Sequence, residues 1–163
     1  MKAGWFVAIA ASFYVFVVAV FWPIEKKIIS PSPRKVAASG YAQATVIFSD
    51  DHVRVRIPTT AKLQEKGLAG VAQLADDEGM LWVYNTPSRV SFWMKGMLMP
   101  LDYIWLNRGR VIDVTENVPA PDSAFSTDLP IIDPGVPVDG VLEVAAGYVQ
   151  RHQVKVGDAV EVK

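Results

Sequence analysis

The feature that most constrains this chain is its first uncharged stretch. From Ala3 to Ile24 there is no Asp, Glu, Lys or Arg. About 22 residues at about 1.5 Å per helical residue reach roughly 33 Å, enough for a bilayer hydrocarbon core of about 30 Å. Phe, Val, Ala and Ile dominate it, and Trp5 and Trp22 stand near its ends, where indole rings favour the lipid–water interface. A cleaved signal peptide is the rival reading, but such signals end in small residues with an A-x-A pattern, whereas this run ends Val20-Phe21-Trp22-Pro23-Ile24. A buried soluble helix is a third. The expectation is therefore an uncleaved signal-anchor over residues 1–24, with the membrane a partner through residues 3–24. Lys26, Lys27, Arg34 and Lys35 on the far flank, against Lys2 on the near one, lean toward a cytoplasmic C-terminal domain. The absence of cysteine does not decide the compartment.

Residues 25–40, with Pro31, Pro33 and scattered charge, read as a stalk, and residues 41–163 as one domain of ordinary size. From Gly40 onward about 11 Lys and Arg face about 16 Asp and Glu. An acidic domain without a basic stripe is a poor nucleic-acid binder, since phosphate neutralisation supplies much of that affinity.

Within the domain, Ala44 to Phe48 reads as a strand and Ser49-Asp50-Asp51 as a turn. His52 to Ile57 alternates strictly, with Val53, Val55 and Ile57 on one face, so the two strands form a hairpin. Thr59 or Thr60 caps a short helix through Lys66, stopped by Gly67. Further strands are expected at Met80–Tyr84, Ser91–Lys95, Leu101–Leu106, Val111–Thr115, Val141–Val144 and Ala159–Val162, with Asn107-Arg108-Gly109-Arg110 as a tight hairpin turn and one or two helical turns between Ala145 and His152. Between Pro119 and Asp139 runs a long loop whose Phe125, Ile131 and Ile132 suit either a lid over the aromatic face or a pin onto the barrel. The fold class is mainly β (α+β): a compact barrel-like or sandwich domain with one or two short helices, preceded by one transmembrane helix.

The run Asp77-Glu78-Gly79-Met80-Leu81-Trp82-Val83-Tyr84, then Ser91-Phe92-Trp93-Met94-Lys95, then Met99-Pro100-Leu101-Asp102-Tyr103-Ile104-Trp105-Leu106 resembles domain of unknown function 192, also called uncharacterised protein family 0127. Gly67-Leu68, Val141-Leu142-Glu143 with Gly147, and Val156-Gly157-Asp158 extend the resemblance over about residues 43 to 162. Two positions depart from the family pattern: Ala69-Gly70-Val71 follow the Gly-Leu pair where a Met and then an Arg are usual, and Gly96-Met97 stand where Asn-Thr is usual. The resemblance implies a β-rich barrel-like fold and no settled activity. Its members often carry export signals, which places the domain outside the cytoplasm, against the lean of the flanking charges.

Several constellations bear on chemistry. Alternation puts Met80, Trp82 and Tyr84 on one strand face, Ser91, Trp93 and Lys95 on another, and Leu101, Tyr103 and Trp105 on a third. Aligned, Trp82, Trp93, Tyr103 and Trp105 make an aromatic floor for a flat apolar or sugar-like ligand, or simply core. Asp102 shares a face with Ile104 and Leu106; a buried carboxylate needs a partner, and Lys95 or Glu143 is the candidate, as an ion pair bracing the fold or as a polar clamp at the groove mouth. Met94, Met97 and Met99 with Leu98 make an adaptable apolar bend that suits ordinary core gaps better than a partner surface. Asp76-Asp77-Glu78 reads as a solvated turn rather than a calcium loop. His52 and His152 are far apart and lack zinc-ligand spacing, and no nucleotide-binding or nucleophile-elbow motif occurs. No catalytic residue, metal or cofactor is assigned.

The expected function is thus a membrane-anchored binding or accessory module whose ligand-binding residues are Trp82, Trp93, Lys95, Asp102, Tyr103, Trp105 and Glu143, with a small molecule or a protein at the aromatic face. One alternative is an enzyme using Lys95, Asp102 and Glu143 in acid–base chemistry. The other is a purely structural tethered domain.

Overall fold

Strict alternation in the first part of the domain builds a hairpin. In a computed structural model, which describes residues 40–163 apart from 49, 124, 125, 127 and 128, β1 (Tyr41–Phe48) pairs antiparallel with β2 (Asp51–Pro58). Val53, Val55 and Ile57 are buried while Arg54 and Arg56 between them, and His52 before them, are not. The chain then leaves the sheet through α1 (Ala61–Lys66). Thr60 Oγ1 accepts from Leu63 N at 3.3 Å and Gly67, at φ 50°, closes the helix by donating its N–H to Leu63 O at 2.9 Å, the two ends that a short helix most needs satisfied.

That excursion lets β3 (Glu78–Ser88) return parallel to β2, since parallel neighbours require a crossover. The remaining strands, β4 (Leu101–Asn107), β5 (Arg110–Val118), β6 (Val138–Ala145) and β7 (Val160–Val162), pair antiparallel, with α2 (Tyr148–Arg151) between the last two. The order is β5-β4-β6-β3-β2-β1-β7.

This corrects the expected compact barrel-like or sandwich domain. One seven-stranded sheet curls into an open half-barrel, and its edge strands touch at one end only, through the bridge Arg110↔Ala159. The expected transmembrane helix finds no counterpart among the described residues. Among the described residues no helix is long and apolar enough to cross a membrane; α1 and α2 have 6 and 4 residues. The segment 3–24, the stalk 25–39 and the expected lid residue Phe125 lie outside the described residues.

The curled sheet has apolar matter on both faces. Inside the curl lie Val46, Val53, Val55, Leu81, Ile104, Leu106, Leu142 and Val144, closed at one end by Tyr148 and Val149 of α2. On the outer face of β3, β6 and β4 a second cluster gathers Met80, Trp82, Tyr103, Trp105 and Val141 under a covering segment that brings Met94, Met97 and Ile132. Strands buried on both faces are apolar at nearly every position, as β4 and β6 are. Each fully buried apolar side chain stabilises by about 1.5–3 kcal/mol.

The expected strand Ser91–Lys95 is the main misplacement. It is a strap laid over the outer face, whose sheet-like pairing among the described residues is the bridge Phe92↔Ile132. Gly96, at φ 70°, turns the chain beyond it; an L residue adopts that backbone reluctantly. The long loop contributes its own half of the bridge, so Ile132 is a pin, while Ile131 stays 64% exposed beside it.

Candidate functional site

Between α1, β3 and the strap the outer aromatic cluster is left open. A cleft of about 400 Å³ has Trp82 and Tyr84 from β3, Phe92, Trp93 and Lys95 from the strap, and Glu143 from β6 among its walls; Glu65, Lys66, Gly67, Ser91, Met97 and Ile131 also line it. The size falls in the range of small-molecule sites.

The aromatic floor exists with a different hub. Phe92 meets Trp82 edge-on at 5.1 Å, Tyr103 at 5.7 Å and Trp105 at 5.9 Å, while Tyr103 and Trp105 stack at 5.7 Å. These separations are those of favourable ring pairs. Alternation along the strap is obeyed, but with the faces exchanged: Phe92 and Met94 turn inward, and Trp93, 50% exposed, turns to the rim, with the Lys95 ammonium 5.5 Å from its ring centroid. Tyr103 and Trp105 are wholly buried beneath Phe92 and do not line the cleft; Tyr103 donates to Met94 Sδ at 3.3 Å and Trp105 Nε1 to Thr115 Oγ1 at 2.9 Å. Phe92 was legible in Ser91-Phe92-Trp93-Met94-Lys95 as the apolar alternate of a pattern whose Lys95 belongs outside.

Asp102 belongs elsewhere. It is fully buried on the inner face, where its carboxyl accepts from Asn117 N at 2.7 Å and Val149 N at 3.0 Å. These bonds tie α2 and the end of β5 to β4. The expected pairing with Lys95 is absent because the two residues lie on opposite faces of the sheet, and the acid–base constellation of Lys95, Asp102 and Glu143 does not assemble.

Glu143 is the unusual member. It is 1% exposed and sits in register with Met80 on one neighbouring strand and Tyr103 on the other. Among the described residues its Oε2 has no hydrogen-bond partner, and neither has the buried indole Nε1 of Trp82. Burial pushes the Glu143 carboxyl up to about 8, and the Trp82 N–H is near enough to oppose that rise without completing a bond. At neutral pH the group is therefore mostly an uncharged acid. Burial, and then the Glu143 charge, push Tyr84 up to about 12; Tyr103 rises for the same two reasons. No Glu143 ion pair is found among the described residues. Gly79 makes this close approach workable, since a Cβ there would stand 2.7 Å from the Glu143 carbonyl oxygen.

The Asp76-Asp77-Glu78 turn is a hub of ion pairs. Asp77 and Glu78 hold Arg54, and Asp76 holds Arg151 and His152. A larger hollow of about 700 Å³ along β1 and β2 is lined by groups already engaged, Arg54 with those carboxylates and Lys163 with Glu161. The cleft differs in having unpaired polar atoms at its floor.

The family model of DUF192, described as Uncharacterized ACR, matches residues 44–162. This chain belongs to the DUF192 family. Two solved structures are similar. A chain from Sinorhizobium meliloti 1021, described as a "putative transcription regulator", is 32% identical, with 76% of this chain and 95% of that one covered and a TM-score of 0.64. A protein of unknown function from Novosphingobium aromaticivorans DSM 12444 is 30% identical over 81% of this chain and 94% of its own, with a TM-score of 0.65. No curated protein matches. The expected single-pass placement, with the membrane as partner, is corrected to what is found: among the described residues no helix is long and apolar enough to cross a membrane, and residues 3–24 lie outside them.

Proposed function

We propose that this DUF192 domain is a non-catalytic binding module that takes a small, flat ligand into the cleft between α1, β3 and the strap. One observation carries the reading: an aromatic-walled hollow of about 400 Å³ has Trp82 and Glu143 in its lining, and among the described residues their buried Nε1 and Oε2, though near each other, complete no hydrogen bond. Buried polar groups are almost always satisfied, and leaving one unsatisfied costs about 1–3 kcal/mol. A ligand that pairs with them recovers that cost and stacks its flat body on Phe92, Trp82 and Trp93. Trp93, half in solvent, is the ring free to close on it. DNA contact is not part of the reading: the described portion is acidic.

A thermal-shift screen of flat small molecules on the full chain tests this. At a hundredfold excess over Kd a ligand stabilises by about 3 kcal/mol, a Tm rise on the order of 10 °C. The expected ligand loses its effect in Trp93→Ala and in Ser91→Phe, which narrows the mouth. Ligands whose shifts ignore both substitutions, or a blank screen, would refute the reading.

A further inference from the structure

We propose that the ligand of this cleft is a small organic acid, an oxyanion on a flat apolar body whose oxygens take up the unpaired polar atoms of Trp82 and Glu143. The inference rests on the binding reading above and names its ligand class.

The unpaired groups at the floor offer protons rather than seek them. An indole N–H donates and never accepts, and among the described residues Trp82 Nε1 is buried with no completed bond, the Glu143 carboxyl being near it. The edge of the ring that carries this nitrogen faces Gly67, where a Cβ would be 3.5 Å from Trp82 Cζ2, and Gly67 lines the cleft. Glu143, 1% exposed, has no ion pair among the described residues, so burial leaves it mostly protonated at neutral pH, an acid with a proton to donate. A neutral carboxylic acid held in an apolar site is a known way to stabilise an oxyanion.

The charges around the floor agree. The ionisable groups facing it are Glu65 and Lys66 from α1, Tyr84 from β3, Lys95 from the strap and Tyr103 from β4. Two of these are ammonium groups and one is a carboxylate; the tyrosines stay neutral well above pH 7. A cationic ligand would meet Lys66 and Lys95 at the mouth and an N–H donor at the floor. A neutral ligand would leave the two lysines without a role.

Calorimetry on the full chain with three probes sharing one ring system separates the classes: 2-naphthoate, the neutral 2-naphthamide and the cationic 2-naphthylmethylammonium. At pH 7 the naphthoate is expected to bind at least tenfold tighter than the ammonium. Its affinity should hold between pH 6 and 7 and fall above about pH 8, where Glu143 loses its proton, by up to tenfold per pH unit. Glu143→Gln, whose amide N–H donates at every pH, should bind naphthoate with that fall removed. Trp82→Phe should weaken binding about tenfold, and Lys95→Ala a few-fold with a shallower salt dependence. The Phe and Ala variants keep the test alive if the Gln variant does not fold. Tighter binding of the ammonium or the amide, or naphthoate affinity indifferent to pH and to Trp82→Phe, overturns the inference and leaves the binding reading standing. If no probe binds and the wider screen is also blank, both fall.

Discussion

Replacing Glu143 with Gln should make the domain's stability less dependent on pH. In the folded chain burial raises this carboxyl from 4.5 to about 8. Below pH 4.5 it is protonated in folded and unfolded chains alike and contributes no pH dependence. Between about 4.5 and 8 the unfolded chain releases the proton and the folded chain keeps it, so stability falls as pH rises. The slope is slightly more than ~1 kcal/mol per pH unit, and the full loss by pH 9 is on the order of 5 kcal/mol. Gln has nearly the same volume and does not titrate. Urea denaturation of both full-length proteins between pH 4.5 and 9 should therefore show the wild type losing ground to the variant throughout that window, with the gap levelling above pH 8. His152 is common to both and cancels. Parallel curves from pH 5 to 8 would show that Glu143 ionises at its ordinary value and that the floor of the cleft is wet or paired.

Three further outcomes are expected. Asp102→Ala removes the acceptor of two backbone N–H groups and should cost about 2–5 kcal/mol in chemical denaturation, without changing ligand preference. Gly79→Ala forces a Cβ to within 2.7 Å of a backbone oxygen and should destabilise by about 1–3 kcal/mol or more, seen as a lowered Tm. Burial pushes the His152 imidazole down, but the hydrogen bonds and charges of Asp76 and Asp51 together hold it above its ordinary value. Its stabilisation is complete below about pH 6.5 and is lost as pH rises through the raised value, so the Tm advantage of wild type over His152→Gln should shrink from pH 6 to pH 8.5.

Much of the fold can be read from local pattern. Alternation at Val53, Val55 and Ile57 identified the first hairpin and its buried face, Thr60 and Gly67 bounded the helix, and Asn107 to Arg110 marked a turn. The partners in space could not be read this way. Asp102 was correctly placed on the face of Ile104 and Leu106, but its acceptor role depends on Asn117 and Val149, 15 and 47 residues along the chain. The strap failed for a related reason. Ser91 to Lys95 alternates like a strand, yet its only sheet-like link is to Ile132, so the face that turns inward is chosen by the aromatic cluster beneath. Trp82, Trp93, Lys95 and Glu143 do meet at the cleft. Tyr103 and Trp105 back it, and Phe92, the hub, is hard to read from alternation because aromatic Trp93 shares its own face with polar Lys95. The expected anchor rests on the uncharged length of residues 3–24, its terminal tryptophans and the missing A-x-A pattern, and lies outside the described residues, among which no helix is long and apolar enough to cross a membrane.

The most direct test follows the Trp82 indole N–H. In the full chain labelled with ¹⁵N-tryptophan, which has five indoles, the Trp82 resonance is identified by its loss in Trp82→Phe. It should sit upfield of the Trp105 resonance, whose N–H is bonded to Thr115, and move downfield as the naphthyl probes are titrated while Trp105 stays still. A Trp82 signal already at a bonded position, and unmoved by every probe, would contradict the account.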